Sequence, residues 1–178
     1  MGYIYKKKID LFFDFYEINT PIGTLVSLFS RKGLSLLIFK DEKNFENHIK
    51  RFKKFYSEDE MVSKKDRRYE ILKTQIEEYF SGERKNFNID VDLRGTDFQK
   101  LVWNQLAKIP YGTLISYQRL SREVGREKSV RAVANALGQN RILLLIPCHR
   151  VIRKNGNIGG FGGGVWRKKF LIDLEKRI

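Results

Sequence analysis

The sequence predicts a mixed α/β (α+β) protein in two parts: a small N-terminal domain of sheet and helix, residues 1–92, and a mainly helical C-terminal domain, residues 93–178, carrying a helix-turn-helix. Three observations predict it. Short β-prone apolar runs punctuated by glycine gather near the N-terminus, and from Gly95 onward the apolar residues change to spacings of three and four. The charge divides at the same place: residues 1–92 hold 18 basic against 16 acidic side chains, residues 93–178 hold 17 against 5, and the total is +14. With 178 residues, 42% of them apolar, the chain can fill one large core or two small ones.

Taken in order, the start MGYIYKKKIDLFF has neither a long apolar segment nor a small-residue cleavage site, and Lys6 stands where a myristoylation signal needs Ser or Thr. No export and no membrane insertion are expected, which places the protein in the cytoplasm, or in the nucleus of a eukaryotic host. Residues 18–39, INTPIGTLVSLFSRKGLSLLIF, read as strand, turn, strand around their Pro-Ile-Gly and Arg-Lys-Gly punctuation. The lysine-rich stretch 40–65 reads as a helix and an exposed loop. In RRYEILKTQIEEYFSG, Ile71, Leu72, Ile76, Tyr79 and Phe80 fall on helical spacing, with Gly82 as the stop. No chemistry is legible in this first part, and His48 reads as a residue on a helix face.

In TDFQKLVWNQLAKI, Phe98, Leu101, Val102, Leu106 and Ile109 form a helical stripe, with Thr96 as N-cap and Pro110 and Gly112 ending the segment. Ser116 can cap a short helix that ends at Gly125, and Ser129 a second that runs to Gly138. Two short helices joined through a glycine turn are the signature of a helix-turn-helix. In the second, Val130, Val133, Ala134 and Leu137 are expected inside, and Lys128, Arg131, Ala132, Asn135, Ala136 and Gln139 outside. Alanines between cations let a helix backbone approach a groove closely. A one-sided basic excess is what a polyanion-binding surface requires, so nucleic acid is the expected partner. A plain helical hairpin with a solubilising surface is the alternative.

The chain has one cysteine and two histidines, which allows no intramolecular disulfide and no four-ligand structural zinc site, so no metal is expected. The apolar, strand-like RILLLIPCHRVI meets Pro147, which interrupts strand pairing and places Cys148 where the chain turns, its sulfur toward a pocket. A free thiol, with a pKa of about 8.5, is mostly protonated at neutral pH and needs a base or a positive field to react. His149 is the nearest base. Adjacent side chains on an extended segment face opposite ways, so a turn or a bridging water must close that gap. The glycines at 159, 160, 162, 163 and 164 match neither dinucleotide nor phosphate-loop patterns, but they allow close backbone approach, as a wall against a flat ligand would need. On these residues alone, an inert buried cysteine remains open.

IPCHRVI, with GTLISYQRL and VRAVANALGQN before it and GGFGGGVWRKKFLIDLE after it, closely resembles the O6-alkylguanine-DNA alkyltransferases, or methylated-DNA–protein-cysteine methyltransferases. TPIGTLVSLFSRKGLSLLIF and EEYFSGERKNF resemble the N-terminal domain of that family less closely. The resemblance implies a ribonuclease H-like N-terminal domain and direct, stoichiometric, irreversible transfer of an alkyl (methyl) group from O6-alkylguanine in DNA to Cys148. It implies no cofactor, and it leaves open the same transfer from O4-alkylthymine. The partner would be double-stranded DNA, bound by a monomer through the minor groove with the lesion flipped out, since a thiol cannot reach O6 in line inside a stacked duplex. His149 would take the thiol proton through a water and Glu175 would hold His149. Asn140 would join the helix-turn-helix to the active-site strand, Tyr117 would assist the leaving guanine, and Arg131 would fill the vacated stack. Gln118, Arg126, Lys128, Ala132, Asn135 and Lys154 would join Tyr117 and Arg131 on the DNA. Pro147, Val151, Phe161 and Gly162 would form the base pocket.

Some family members have Tyr-Ser where this chain has Phe161-Gly162. Without those hydroxyls, recognition is expected to lean on backbone groups and Asn140. The chain also lacks the N-terminal cysteines and histidines of the zinc-binding variants, and its Cys148 separates it from the alkyltransferase-like proteins that lack the acceptor. A helix-turn-helix regulator with a structural or redox cysteine would have no use for a glycine wall. A Cys-His-Glu hydrolase would sit poorly in so basic a field.

Overall fold

Two two-residue turns, Pro21-Ile22 and Arg31-Lys32, fold the first strands of a computed structural model that describes residues 13–177. Strands β1 (Tyr16–Thr20), β2 (Gly23–Ser30) and β3 (Gly33–Phe39) form an antiparallel sheet in the order β1-β2-β3. The expected strand, turn, strand is thus a three-stranded meander, and Tyr16–Thr20 is the addition. Only Ile18 of β1 is buried, so this edge strand carries little apolar signal. Gly23 takes φ +117°, which a side-chain-bearing residue rarely adopts. The expectation drawn from MGYIYKKKIDLFF falls on residues of which only Phe13 is described.

The far edge of β3 is covered by backbone from elsewhere. Leu34 bridges Val91, and Leu37 bridges Ile142, with hydrogen bonds from Leu37 N to Arg141 O (2.7 Å) and from Leu143 N to Leu37 O (2.9 Å). The apolar run 141–147 was expected to be strand-like, yet it pairs at that single bridge and then turns, with Leu144 at φ 69°. It is buried for another reason: it closes the sheet edge, and its length suffices for one bridge and a turn into Pro147.

Helix α1 (Phe45–Phe52) lies in the lysine-rich stretch, and α2 (Arg67–Ser81) follows the Asp66 cap and stops at left-handed Gly82. α2 buries Tyr69, Leu72, Gln75, Ile76 and Tyr79, whereas Ile71 is exposed and Phe80 half-buried. The inward face is set about one residue away from the predicted stripe, because the sheet receives Tyr69, whose hydroxyl accepts from Phe29 N at 3.2 Å.

Helix α3 (Asp97–Leu106) begins with the Thr96–Gln99 capping box and ends four residues before Pro110. A short parallel pair, β4 (Ile115–Ser116) with β5 (Val151–Ile152), brackets the C-terminal half. Ser116 Oγ accepts from Arg119 N to cap α4 (Tyr117–Glu123), and α5 (Val130–Gly138) follows Ser129, whose side chain makes no cap bond. α5 buries Val133, Ala136 and Leu137; Ala134 is exposed and Val130 half-buried. This corrects the predicted stripe. Trp103 of α3 sets the rotation, since its indole N–H donates to Ala136 O at 2.8 Å and needs a small residue there. Helix α6 (Val165–Lys176) buries Arg167, Lys168, Leu171, Ile172 and Glu175, while Phe170 is exposed. Among the described residues no helix is long and apolar enough to cross a membrane. The apolar cluster runs without a break from Phe13 to Leu171.

Candidate active site

Pro147 cannot pair in a strand, and the three residues after it, Cys148–Arg150, form one tight 3-10 turn before β5. That turn, rather than an extended segment, is what separates the two reactive side chains. Cys148 lines a cleft of about 680 Å³, and His149 is buried against α6. Its Nε2 lies 2.8 Å from Glu175 Oε1.

Glu175 is the best-bonded group in the site. Among the described residues, Oε1 also accepts from Tyr79 OH (2.8 Å) and Arg150 Nη2 (2.9 Å), while Oε2 accepts from Arg150 Nε (2.9 Å) and Gly112 N (3.0 Å). Burial pushes this carboxyl up, but the hydrogen bonds from His149 and Arg150 prevail and hold it well below the usual carboxylate range. It is therefore ionised, and the His149 ring must donate Nε2–H to it. That assignment leaves Nδ1 with its lone pair; Nδ1 is buried and has no hydrogen-bond partner among the described residues. Burial pushes the His149 imidazole down, against the pull of Glu175, and pushes the Cys148 thiol up, against the Asn140 hydrogen bond and the Lys168 charge. The resting pair is a neutral thiol and a neutral imidazole.

Asn140 lies under the cleft rather than on it. Its Nδ2 donates to Cys148 Sγ (3.2 Å) and Ile146 O (2.7 Å), and its Oδ1 accepts from Ile142 N (3.0 Å). These bonds occupy the amide, so Asn140 fixes the sulfur and its loop and is not available to recognise a base. Lys168 Nζ donates to Val151 O (2.6 Å) and Gly160 O (3.0 Å); burial lowers its pKa to about 8, although a thiolate at Cys148 would pull the other way.

Of the other predicted residues, Tyr117, Gln118, Arg131, Lys154, Phe161 and Gly162 line the cleft. Pro147 and Val151 are buried beneath it, and Arg126, Lys128, Ala132 and Asn135 are exposed outside it. The α5 rotation brings Val130 and Ala134 to the cleft wall, where Arg153 and Asn44 join them. Burial raises the Tyr117 phenol, so it stays protonated. Part of the basic excess proves internal, because Arg141, Arg150, Arg167 and Lys168 are all buried.

Sequence reasoning missed Tyr79, Arg150, Lys168 and Asn44, and the first part of the chain is not without a place in the site. Arg150 follows His149 directly, and Lys168 stands at helical spacing from Leu171 and Glu175, so both had a local signal. Tyr79, 96 residues from Glu175, had none.

The family model described as "6-O-methylguanine DNA methyltransferase, DNA binding domain" matches residues 97–177. A Haemophilus influenzae methylated-DNA–protein-cysteine methyltransferase is 35% identical over 167 residues, covering 93% of this chain and 87% of the relative. This chain belongs to the methylated-DNA–protein-cysteine methyltransferase family. The inducible member from Bacillus subtilis is 46% identical over 112 residues, and that match spans 63% of either chain; the match to the Mycobacterium bovis member spans 62% of the relative. The crystal structure of Mycobacterium tuberculosis OGT in complex with DNA superposes with a TM-score of 0.74 at 34% identity, over 91% of this chain and 92% of that one. Within this methyltransferase-family chain, the matched stretch 97–177 holds every group named around Cys148 except Asn44 and Tyr79.

Proposed function

We propose that this protein repairs DNA by moving a methyl group from O6 of guanine to Cys148 Sγ, once per molecule and irreversibly. The observation that carries this is the stack behind one sulfur: Cys148 opens to a cleft large enough for a base, and the buried base–carboxylate pair His149–Glu175 lies next to it in the chain. The thiol proton passes through a water to His149 Nδ1, and Glu175 stabilises the imidazolium that forms. The S–C bond forms as the C–O bond breaks, and the electron pair leaves with guanine O6. Tyr117, a protonated phenol on the cleft wall, offers a proton to the departing base. The product thioether has no carbonyl for water to attack, so Cys148 is not regenerated.

The division of labour follows the same reading. Residues 93–178 act as the DNA-binding and transfer domain, with α4, the Gly125 turn and α5 as a helix-turn-helix lying in the minor groove. The exposed Arg126, Lys128, Ala132 and Asn135 extend the contact beyond the cleft. Arg131, on the cleft wall, fills the place of the flipped nucleotide. Residues 1–92 form the N-terminal domain, where an antiparallel sheet with α2 against it is compatible with a ribonuclease H-like arrangement. The protein acts as a monomer on double-stranded DNA. Phe161 gives the base an apolar face, and the bare Gly162 leaves recognition at that point to the backbone.

Mass spectrometry with excess O6-methylguanine duplex tests the proposal. At most one lesion is repaired per molecule, the peptide holding Cys148 gains the mass of one methyl group, and Cys148→Ala binds DNA but accepts nothing. Several repairs per molecule, or an unmodified Cys148 after repair, would overturn it.

A further inference from the structure

The glycine wall of the cleft has little to hold it in place from within. A Cβ added at Gly160 or at Gly162 would meet nothing within 4 Å, and Phe161 is the one large side chain between them. Such a segment has wide backbone freedom, whereas a flat ligand must be held to about half an ångström. The wall is instead pegged at its two ends by adjacent residues of α6. Lys168 Nζ holds Gly160 O at 3.0 Å, an anchorage internal to the C-terminal half. Arg167 holds the other end and reaches across to the N-terminal sheet.

Arg167 is built into its place. Nη1 donates to Gly163 O (2.8 Å), Nε to Ile22 O (2.6 Å), and Nη2 to both carboxylate oxygens of Asp41 (2.8 Å each). Its guanidinium lies 4.1 Å from the Phe39 ring centre and 4.6 Å from that of Trp166. Gly23 leaves room for it, since a Cβ there would come within 2.7 Å of Nη2. Gly163 packs on the same Phe39, where a Cβ would come within 2.7 Å of Cδ2. The side chain of Arg167 is 5% exposed and that of Asp41 68%, and among the described residues Asp41 is the one carboxylate bonded to it. The two carbonyls supply hydrogen bonds but no counter-charge; Glu42 acts on this cation only through space, with a carboxyl that burial pushes up to about 7, so Asp41 is the bonded carboxylate that neutralises it.

We propose that Asp41 and Arg167 are a positioning pair through which the N-terminal sheet sets the wall Gly160–Gly163 against the flipped base. The activity arm of its test rests on the alkyl-transfer reading; the structural arm does not. Asp41 is exposed and outside the catalytic machinery, so Asp41→Asn should fold. In that variant, amide hydrogen exchange should quicken about tenfold across residues 160–164 and stay unchanged across residues 148–151. The maximal rate of methyl transfer from O6-methylguanine duplex should fall about tenfold, with unchanged half-saturating DNA concentration and unchanged reaction of Cys148 with iodoacetamide. Asp41→Glu, which keeps the charge, should restore most of the rate and the wild-type exchange at residues 160–164. Exchange at 160–164 that stays at the wild-type rate, or a maximal rate that stays there while exchange quickens, overturns the pair. A fall in iodoacetamide reactivity in step with transfer would overturn it too, because the damage would then lie at the sulfur. Wild-type protein that takes no methyl group while its wall still responds to Asp41→Asn removes the alkyl-transfer reading and leaves the pair standing.

Discussion

Tyr79→Phe isolates the bond that ties the first part of the chain to the site. Tyr79 is fully buried, and the change removes one hydroxyl without altering ring volume. The lost bond is a 2.8 Å donation to an ionised carboxylate, a class of hydrogen bond that contributes about 1.5–3 kcal/mol. Oε1 keeps His149 and Arg150 as partners, so it is not orphaned, and the lower part of that range applies: about 2 kcal/mol, or a fall of about 4–8 °C in melting temperature for a chain of this size. The pH dependence is also set. Because Glu175 is held far below its ordinary value of 4.5, it stays ionised in the folded protein at pH 4 as at pH 7, and the Tyr79 bond is lost only as the pH falls through the much lower folded value. The Tyr79→Phe penalty should therefore be the same at pH 7 and pH 4. Urea unfolding at the two pH values measures it, and a binding titration alongside should show unchanged DNA affinity, since Tyr79 does not line the cleft. A penalty below about 0.5 kcal/mol, within the range of an ordinary surface change, or one that disappears at pH 4, would refute the picture of a carboxylate locked by converging donors.

Other outcomes follow from single features. If the proposed function holds, Arg131→Ala slows repair of duplex DNA far more than transfer from a free O6-alkylguanine base, because on that reading only the duplex needs a flipped state held open; equal slowing would remove Arg131 from that role. Burial pushes Glu42 up to about 7, partly opposed by Arg167, and pushes His48, 3.7 Å away, down to about 4. The raised carboxyl costs stability as pH rises from 4.5 to 7, so Glu42→Gln should gain nothing near pH 4.5 and up to about 3 kcal/mol at pH 8, read as melting temperature against pH; a constant difference would contradict it. Gly162→Ala should leave stability within about 0.5 kcal/mol, whereas Gly163→Ala, whose Cβ meets the Phe39 and Phe161 rings, should cost about 1–3 kcal/mol by thermal melting.

How far the sequence could be read depended on the range of each signal. The Asp66 and Thr96 caps, the Gly82 stop and the two hairpin turns are written within about four residues, because capping and turn geometry are set by local dihedrals and nearest side chains. The adjacency of Cys148 and His149 was legible for the same reason. The rotation of α5 was not, since Val130, Val133, Ala134 and Leu137 make as regular a stripe as Val133, Ala136 and Leu137; the indole of Trp103 chose between them. Nor could the sequence show that part of the C-terminal positive charge turns inward. Arg150 and Lys168 are buried only because carboxylate and carbonyl partners 8 to 41 residues away replace their water. Tyr79 reaches Glu175 across 96 residues and Arg167 reaches Ile22 across 145. Composition and spacing by themselves set a lone cysteine beside a histidine ahead of a glycine run in a basic half, and the family resemblance added the roles of the groups around it. Which groups hold them ionised, oriented and dry was decided by tertiary structure, because a buried charge is tolerable only where distant parts of the chain converge on it.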